Sequence, residues 1–128
     1  MSPLLSGKRV LVTGATGRIG SVTVAHLNRL GALVTALSVN DDPALKADRV
    51  LTGDTQSEQA VAEALDGVDL VVHLAARAHP NNGTPYEVYT TNVVSTFNVL
   101  AQAAERGIRR AVVASSINAN GLPMNRHD

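Results

Sequence analysis

The run Arg9-Val10-Leu11-Val12-Thr13-Gly14-Ala15-Thr16-Gly17-Arg18-Ile19-Gly20 constrains this chain more than any other. A short β-branched stretch runs into three glycines spaced three apart, and an amphipathic segment follows. An ordered glycine costs backbone entropy, so glycines at fixed spacing between a strand and a helix mark a place where the bare backbone is needed. A helix that opens there turns its free N–H groups and the positive end of its dipole toward the turn. On this reading Gly14 permits the tight turn, Gly17 removes a Cβ from the path of a phosphate, and Gly20 lets the helix lie close to the sheet. Ordinary turn glycines are the bland alternative. The strand–turn–helix context points instead to the pyrophosphate of a dinucleotide.

Strand and helix signals alternate along the rest of the chain. Strands are expected at Arg9–Gly14, Leu33–Val39, Asp48–Asp54, Val68–Ala76 and Arg109–Ser116. The first helix is read over Gly17–Gly31, with Ile19, Val22, Leu27 and Leu30 as its apolar stripe and Gly31 as its stop. Thr55 and Glu58 fit a capping box ahead of Val61, Ala64 and Leu65, with Gly67 closing that helix. Thr84, Pro85 and Glu87 open a long helix that runs to about Arg106 and stops at Gly107. Strands joined through helices pair in parallel by right-handed crossovers. The expectation is therefore one α/β domain over residues 1–128, a doubly wound parallel sheet with five strands in the order 3-2-1-4-5.

Composition narrows the function. Eleven Lys plus Arg balance eleven Asp plus Glu, which gives no electrostatic reason to expect nucleic acid or an anionic membrane as partner. The chain has no cysteine, so disulfides, thiolate nucleophiles and cysteine metal sites are excluded. His26, His79 and His127 are scattered, with no metal-binding spacing. His73, inside a strand, reads as a hydrogen-bonded structural residue with no catalytic role. The start, MSPLLSG, has no signal-peptide pattern, and the expected location is cytoplasmic.

Taken together, Thr13-Gly14-x-x-Gly17-x-x-Gly20, Gly53-Asp54, His73-Leu74-Ala75-Ala76, the segment from Asn92 and the Ser115-Ser116 pair followed by Gly121 resemble the extended short-chain dehydrogenase/reductase superfamily, in its NAD-dependent epimerase/dehydratase branch. The resemblance implies a Rossmann-type fold and NAD as cofactor, with NADP possible. It implies that Gly14, Thr16, Gly17, Arg18, Ile19 and Gly20 hold the pyrophosphate, and that Ser38 stands at the ribose position. Asp54 and Thr55 fall at the adenine end, Leu74, Ala75 and Ala76 along the crevice, and Asn92 at the active-site end of the long helix. Asp54 also fits a helix N-terminal acid, and Asn92 a structural polar contact. Ser38 replaces the usual Asp, and no arginine follows it; Asp41 and Asp42, which also fit solvent-exposed turn residues, lean the site toward NAD. Ser116 matches the family's catalytic Ser or Thr, or a plain strand-end cap, and Asn120 stands where the family has Tyr.

The family's Tyr-x-x-x-Lys pair has no match. Tyr86 and Tyr89 are followed four residues on by Thr90 and Val93, and the lysines are Lys8 and Lys46. The chain therefore reads as the N-terminal portion of a longer enzyme, cut before a sixth strand. It is expected to act as a dinucleotide-binding module of an oxidoreductase on a sugar, nucleotide sugar or related alcohol, without turnover of its own. Alternatives are a non-catalytic regulatory or assembly protein, or half of an enzyme completed by another chain. An apolar long helix (Tyr89, Val93, Phe97 and Leu100, with Val88, Val99 and Ala103) and the edge strand Ala111–Ser115 lead to the expectation of a homodimer or an exchanged tail.

Overall fold

In the computed structural model the described residues are 4–77 and 83–116. They form strands β1 (Arg9–Thr13), β2 (Leu33–Ser38), β3 (Arg49–Thr52), β4 (Leu70–His73) and β5 (Arg110–Val113), with helices α1 (Arg18–Arg29), α2 (Glu58–Ala64) and α3 (Pro85–Glu105). The sheet order is β3-β2-β1-β4-β5 and every pairing is parallel. This is the doubly wound sheet that the alternation of signals implies. Thr13 lies beside Leu37 on one side and His73 on the other, so the carboxyl ends of the three central strands finish level.

Side chains alternate between the two faces of a strand, and the core follows that period. Val10 and Val12 point to one layer, where Val24 and Leu27 of α1 meet Val34 and Ala36 of β2. Leu11 points to the other, among Leu37, Val61, Leu65, Val71 and Val99 from β2, α2, β4 and α3. Helices thus cover both faces of β1. Each fully buried Val or Leu contributes about 1.5–3 kcal/mol relative to exposure.

Three readings of the sequence need correction. Of the apolar stripe expected on α1, Leu27 is buried but Ile19 and Val22 are 67% and 66% exposed; the buried face is Gly20, Val24 and Leu27. Backbone contact at Gly20, described below, sets that rotation and turns the neighbouring apolar side chains outward. Thr55 does not cap α2. It is buried, Asp54 Oδ1 accepts the Gln56 N–H in a turn, and Ser57 is the cap, its hydroxyl accepting the Ala60 N–H. The strands are also shorter than expected at their carboxyl ends, most of all β4 and β5. There the chain leaves the ladder to line a crevice or face solvent.

Other boundary signals hold. Gly31 follows α1 with φ +83°, as a left-handed stop requires. The Thr84–Glu87 capping box is complete: Glu87 N–H donates to Thr84 Oγ1 at 3.1 Å, and Thr84 N–H donates to Glu87 Oε2 at 3.0 Å. Residues Arg110–Val113 are all exposed, and β5 is the outermost strand on its side among the described residues. No described helix is long and apolar enough to cross a membrane.

Candidate functional site

The glycine turn is built by contacts that only hydrogen at Cα allows. Gly14 has φ +65°, and a Cβ there would stand 2.8 Å from the Ala75 nitrogen and 2.9 Å from the Leu74 carbonyl carbon. Two backbones therefore pass each other at the end of β1 and β4 with no room for a methyl group. At Gly20 a Cβ would strike the Gly14 carbonyl oxygen and come within 2.9 Å of Ala15 Cα. The first turn of α1 sits directly on the strand end. Gly17 is different: its Cβ would meet only the Gly14 oxygen, at 3.2 Å, with nothing else inside 4 Å. It is the N-cap of α1 and leaves the mouth of the turn clear.

The N-terminus of α1 is electrostatically bare. The first amides of a helix have no intrahelical acceptor. Gly17 offers no side chain to take them, and the first turn holds no acidic residue. These donors face a crevice of about 1000 Å³ that runs along the carboxyl ends of the strands. Gly14, Thr16, Gly17, Arg18, Ile19 and Gly20 line it from the turn, Ser38 from the end of β2, Asp54 and Thr55 from beyond β3, and Leu74, Ala75 and Ala76 from beyond β4. Residues placed there from the sequence are thus gathered into one cavity, of the size and position that doubly wound folds use for ligands.

Asn92 and Ser116 are the exceptions. Asn92 does not line the crevice; its Oδ1 accepts the Arg77 N–H at 2.7 Å, and its Nδ2 donates to the Arg77 carbonyl at 3.3 Å. Ser38 is buried, and its hydroxyl donates to the Asn40 carbonyl at 3.2 Å. Asp54 is exposed, with one carboxylate oxygen held by the Gln56 amide. Ala114 lines the crevice while Ser116, two residues on, is exposed outside it. Gly121, Asn120, His79 and His127 lie outside the described residues.

The sequence reading passed over several contributors. Arg77 and Thr91 line the crevice, and Arg77 Nε donates to Thr91 Oγ1 at 3.1 Å. Asn40 and Gln56 also line it. Thr13, buried at the end of β1, accepts two amides in its hydroxyl: Leu74 N–H at 3.0 Å and Ala75 N–H at 3.1 Å. The same oxygen lies 2.7 Å from His73 Nδ1, and His73 Nε2 lies 3.2 Å from Thr96 Oγ1. Burial holds the His73 imidazole below its ordinary pKa by disfavouring the charged ring. The signal for Thr13 was present in the sequence as a hydroxyl at a strand end beside a glycine, but its partners lie some sixty residues away. Among the described residues no group of His, Asp and Glu could hold a metal ion.

Comparison with known proteins agrees with this geometry. The chain is 39% identical over 108 residues to an L-arabinose 1-dehydrogenase (NAD(P)(+)) of Haloferax volcanii, covering 84% of this chain and 41% of that protein. It is 31% identical over 122 residues to a UDP-glucose 4-epimerase of Vibrio cholerae, covering 89% and 36%. A uronate dehydrogenase variant from Agrobacterium tumefaciens, solved with NAD, superposes with a TM-score of 0.75 at 29% identity, covering 87% of this chain and 42% of that one. The chain spans less than half the length of each of these proteins. Residues 10–125 match the family model described as the NAD dependent epimerase/dehydratase family, and the chain belongs to that family.

Proposed function

We propose that this chain holds the NAD(P) site of an oxidoreductase or epimerase whose substrate is a sugar, a nucleotide sugar or a related alcohol. The observation that carries the reading is the uncapped N-terminus of α1, opened by Gly14, Gly17 and Gly20 onto the crevice. The residues fit the group: a cradle that a Cβ would fill, bare amide donors for a pyrophosphate, and the Arg18 cation beside them. Asp54 and Thr55 stand where the adenine end would lie, and Leu74–Ala76 form the wall between β1 and β4. Bound there, the nicotinamide would exchange a hydride with the substrate carbon.

Arabinose, uronate and UDP-glucose in the names of the relatives support the sugar class. Ser116 would hydrogen-bond the substrate oxygen. Tyr-x-x-x-Lys does not occur in these 128 residues, so the proton-transfer step is not supplied by them. Isothermal titration tests the core of this reading. NAD is expected to bind with measurable heat; no heat with either NAD or NADP at about 1 mM removes it.

The outer face of α3 supports a homodimer. Tyr86, Tyr89 and Phe97 are 76%, 65% and 73% exposed, an apolar surface that monomers usually cover. Multi-angle light scattering reading a dimer mass supports it; a stable monomer at micromolar concentration rejects it.

A further inference from the structure

Hydrogen-bond counting around His73 leaves one arrangement of protons. Thr13 Oγ1 has two lone pairs and one hydrogen. Both lone pairs are taken by the Leu74 and Ala75 amides, so the hydrogen goes to the remaining partner, His73 Nδ1, 2.7 Å away. The count from the other side of the ring is independent. Thr96 Oγ1 donates its hydrogen to the Asn92 carbonyl at 2.7 Å and is left to accept from His73 Nε2 at 3.2 Å. Both ends require the neutral imidazole with its proton on Nε2. Among the described residues the ring's hydrogen-bond and strand partners carry no charge: Thr13 faces it from β1, Thr96 from α3, and Val113 is its β5 partner.

We propose that His73 is a positioning residue for the cofactor crevice. By accepting the hydrogen bond of the Thr13 hydroxyl at Nδ1, it keeps both Thr13 lone pairs on the amides of Leu74 and Ala75. Those residues form the crevice wall against which Gly14 packs. The relay continues into α3 through Thr96 to Asn92, whose own side chain grips Arg77 at the far end of the same wall. The wall is thus tied at both ends to one chain of hydrogen bonds, with His73 the link between β1 and α3. An Nδ1–H on the ring would face an oxygen with no lone pair to spare, and the Leu74–Ala75 hold would have to break. The bearing on ligand affinity rests on the proposed NAD(P) site; the proton arrangement does not.

The test begins with ¹⁵N-detected imidazole NMR on the unaltered chain at neutral pH. The expected signature is an Nε2–H ring with unprotonated Nδ1; an Nδ1–H tautomer or an imidazolium overturns the proposal without needing any variant. Amide exchange then reads the wall. In His73→Leu, exchange at Leu74 and Ala75 is expected to quicken about tenfold more than at Val12 in β1. His73→Asn, whose carbonyl can replace Nδ1 as acceptor, restores most of that protection. Equal behaviour of the Leu and Asn variants, or uniform loosening of the sheet, overturns the role. NAD affinity is expected to fall about tenfold in His73→Leu and much less in His73→Asn. If the unaltered chain binds no NAD, the functional reading falls. Normal NAD binding with the wrong tautomer sinks only the assignment to His73.

Discussion

Helices α1 and α3 begin in opposite ways. Thr84 and Glu87 satisfy the start of α3 reciprocally, with a proline in the first turn and an acid near the positive end of the dipole. The start of α1 has a glycine for a cap, no acid, and a crevice in front of it. Local stability favours the first solution, since a good cap is worth about 1 kcal/mol. The contrast is the one that the proposed pyrophosphate site calls for: the α1 donors are left uncapped, while those of α3 are satisfied within the chain. The glycines there are placed against backbone; the residues at the other start are placed against each other.

The largest effect that would break this contrast comes from Gly20→Ala. Its methyl group must displace the Gly14–Ala15 backbone, and urea denaturation should show a loss of about 3 kcal/mol or more, or no folded protein. A neutral result would mean that the close approach of α1 to β1 is not needed. Gly17→Asp converts the start of α1 into one like that of α3. The Cβ has only the Gly14 oxygen at 3.2 Å to accommodate. Stability should stay level or rise by a few tenths of a kcal/mol, while calorimetric NAD affinity drops at least about tenfold, as a carboxylate takes the amides and repels phosphate. Equal affinity would sink the assignment of those donors. Thr84→Ala should cost about 1 kcal/mol in the same denaturation assay and leave NAD affinity unchanged.

The smallest effect is a tilt of stability with pH. His73 has a folded pKa below its ordinary 6.5 because burial disfavours the charge. Above that value both folded and unfolded chains hold the ring neutral. As pH falls below it, the unfolded chain takes up a proton that the folded one resists, so stability declines with falling pH until the folded value is passed. Denaturation midpoints at stepped pH should show this slope below 6.5, and His73→Asn should flatten it.

The fold was legible because its signals are local and repeated. Short β-branched apolar strands, Gly31 after α1 and the Thr84–Glu87 box each act within a few residues, and five strands alternating with helix and turn signals leave one economical topology. The glycine turn was legible for the same reason. What could not be read depends on contacts across the sheet. The face of α1 follows from a backbone collision at Gly20. The start of α2 follows from a turn at Asp54 and a buried Thr55, which shift the cap to Ser57. Asn92 fitted either a place at the cofactor or a structural polar contact, and only its bonds to the Arg77 backbone favour the second. The Thr13–His73–Thr96 chain joins residues that no local pattern pairs.

Helix α3 reaches both sides of the cleft. Asn98, buried, donates to the Thr55 carbonyl at 2.8 Å, and Gln102 donates to the Glu58 carbonyl at 3.0 Å, while Asn92 and Thr96 hold the Arg77 side. A single rod therefore braces the bank that carries Asp54 and the bank that carries Leu74–Arg77. A load placed on its outer surface would reach both banks, whose spacing the paired strands between β3 and β4 also hold.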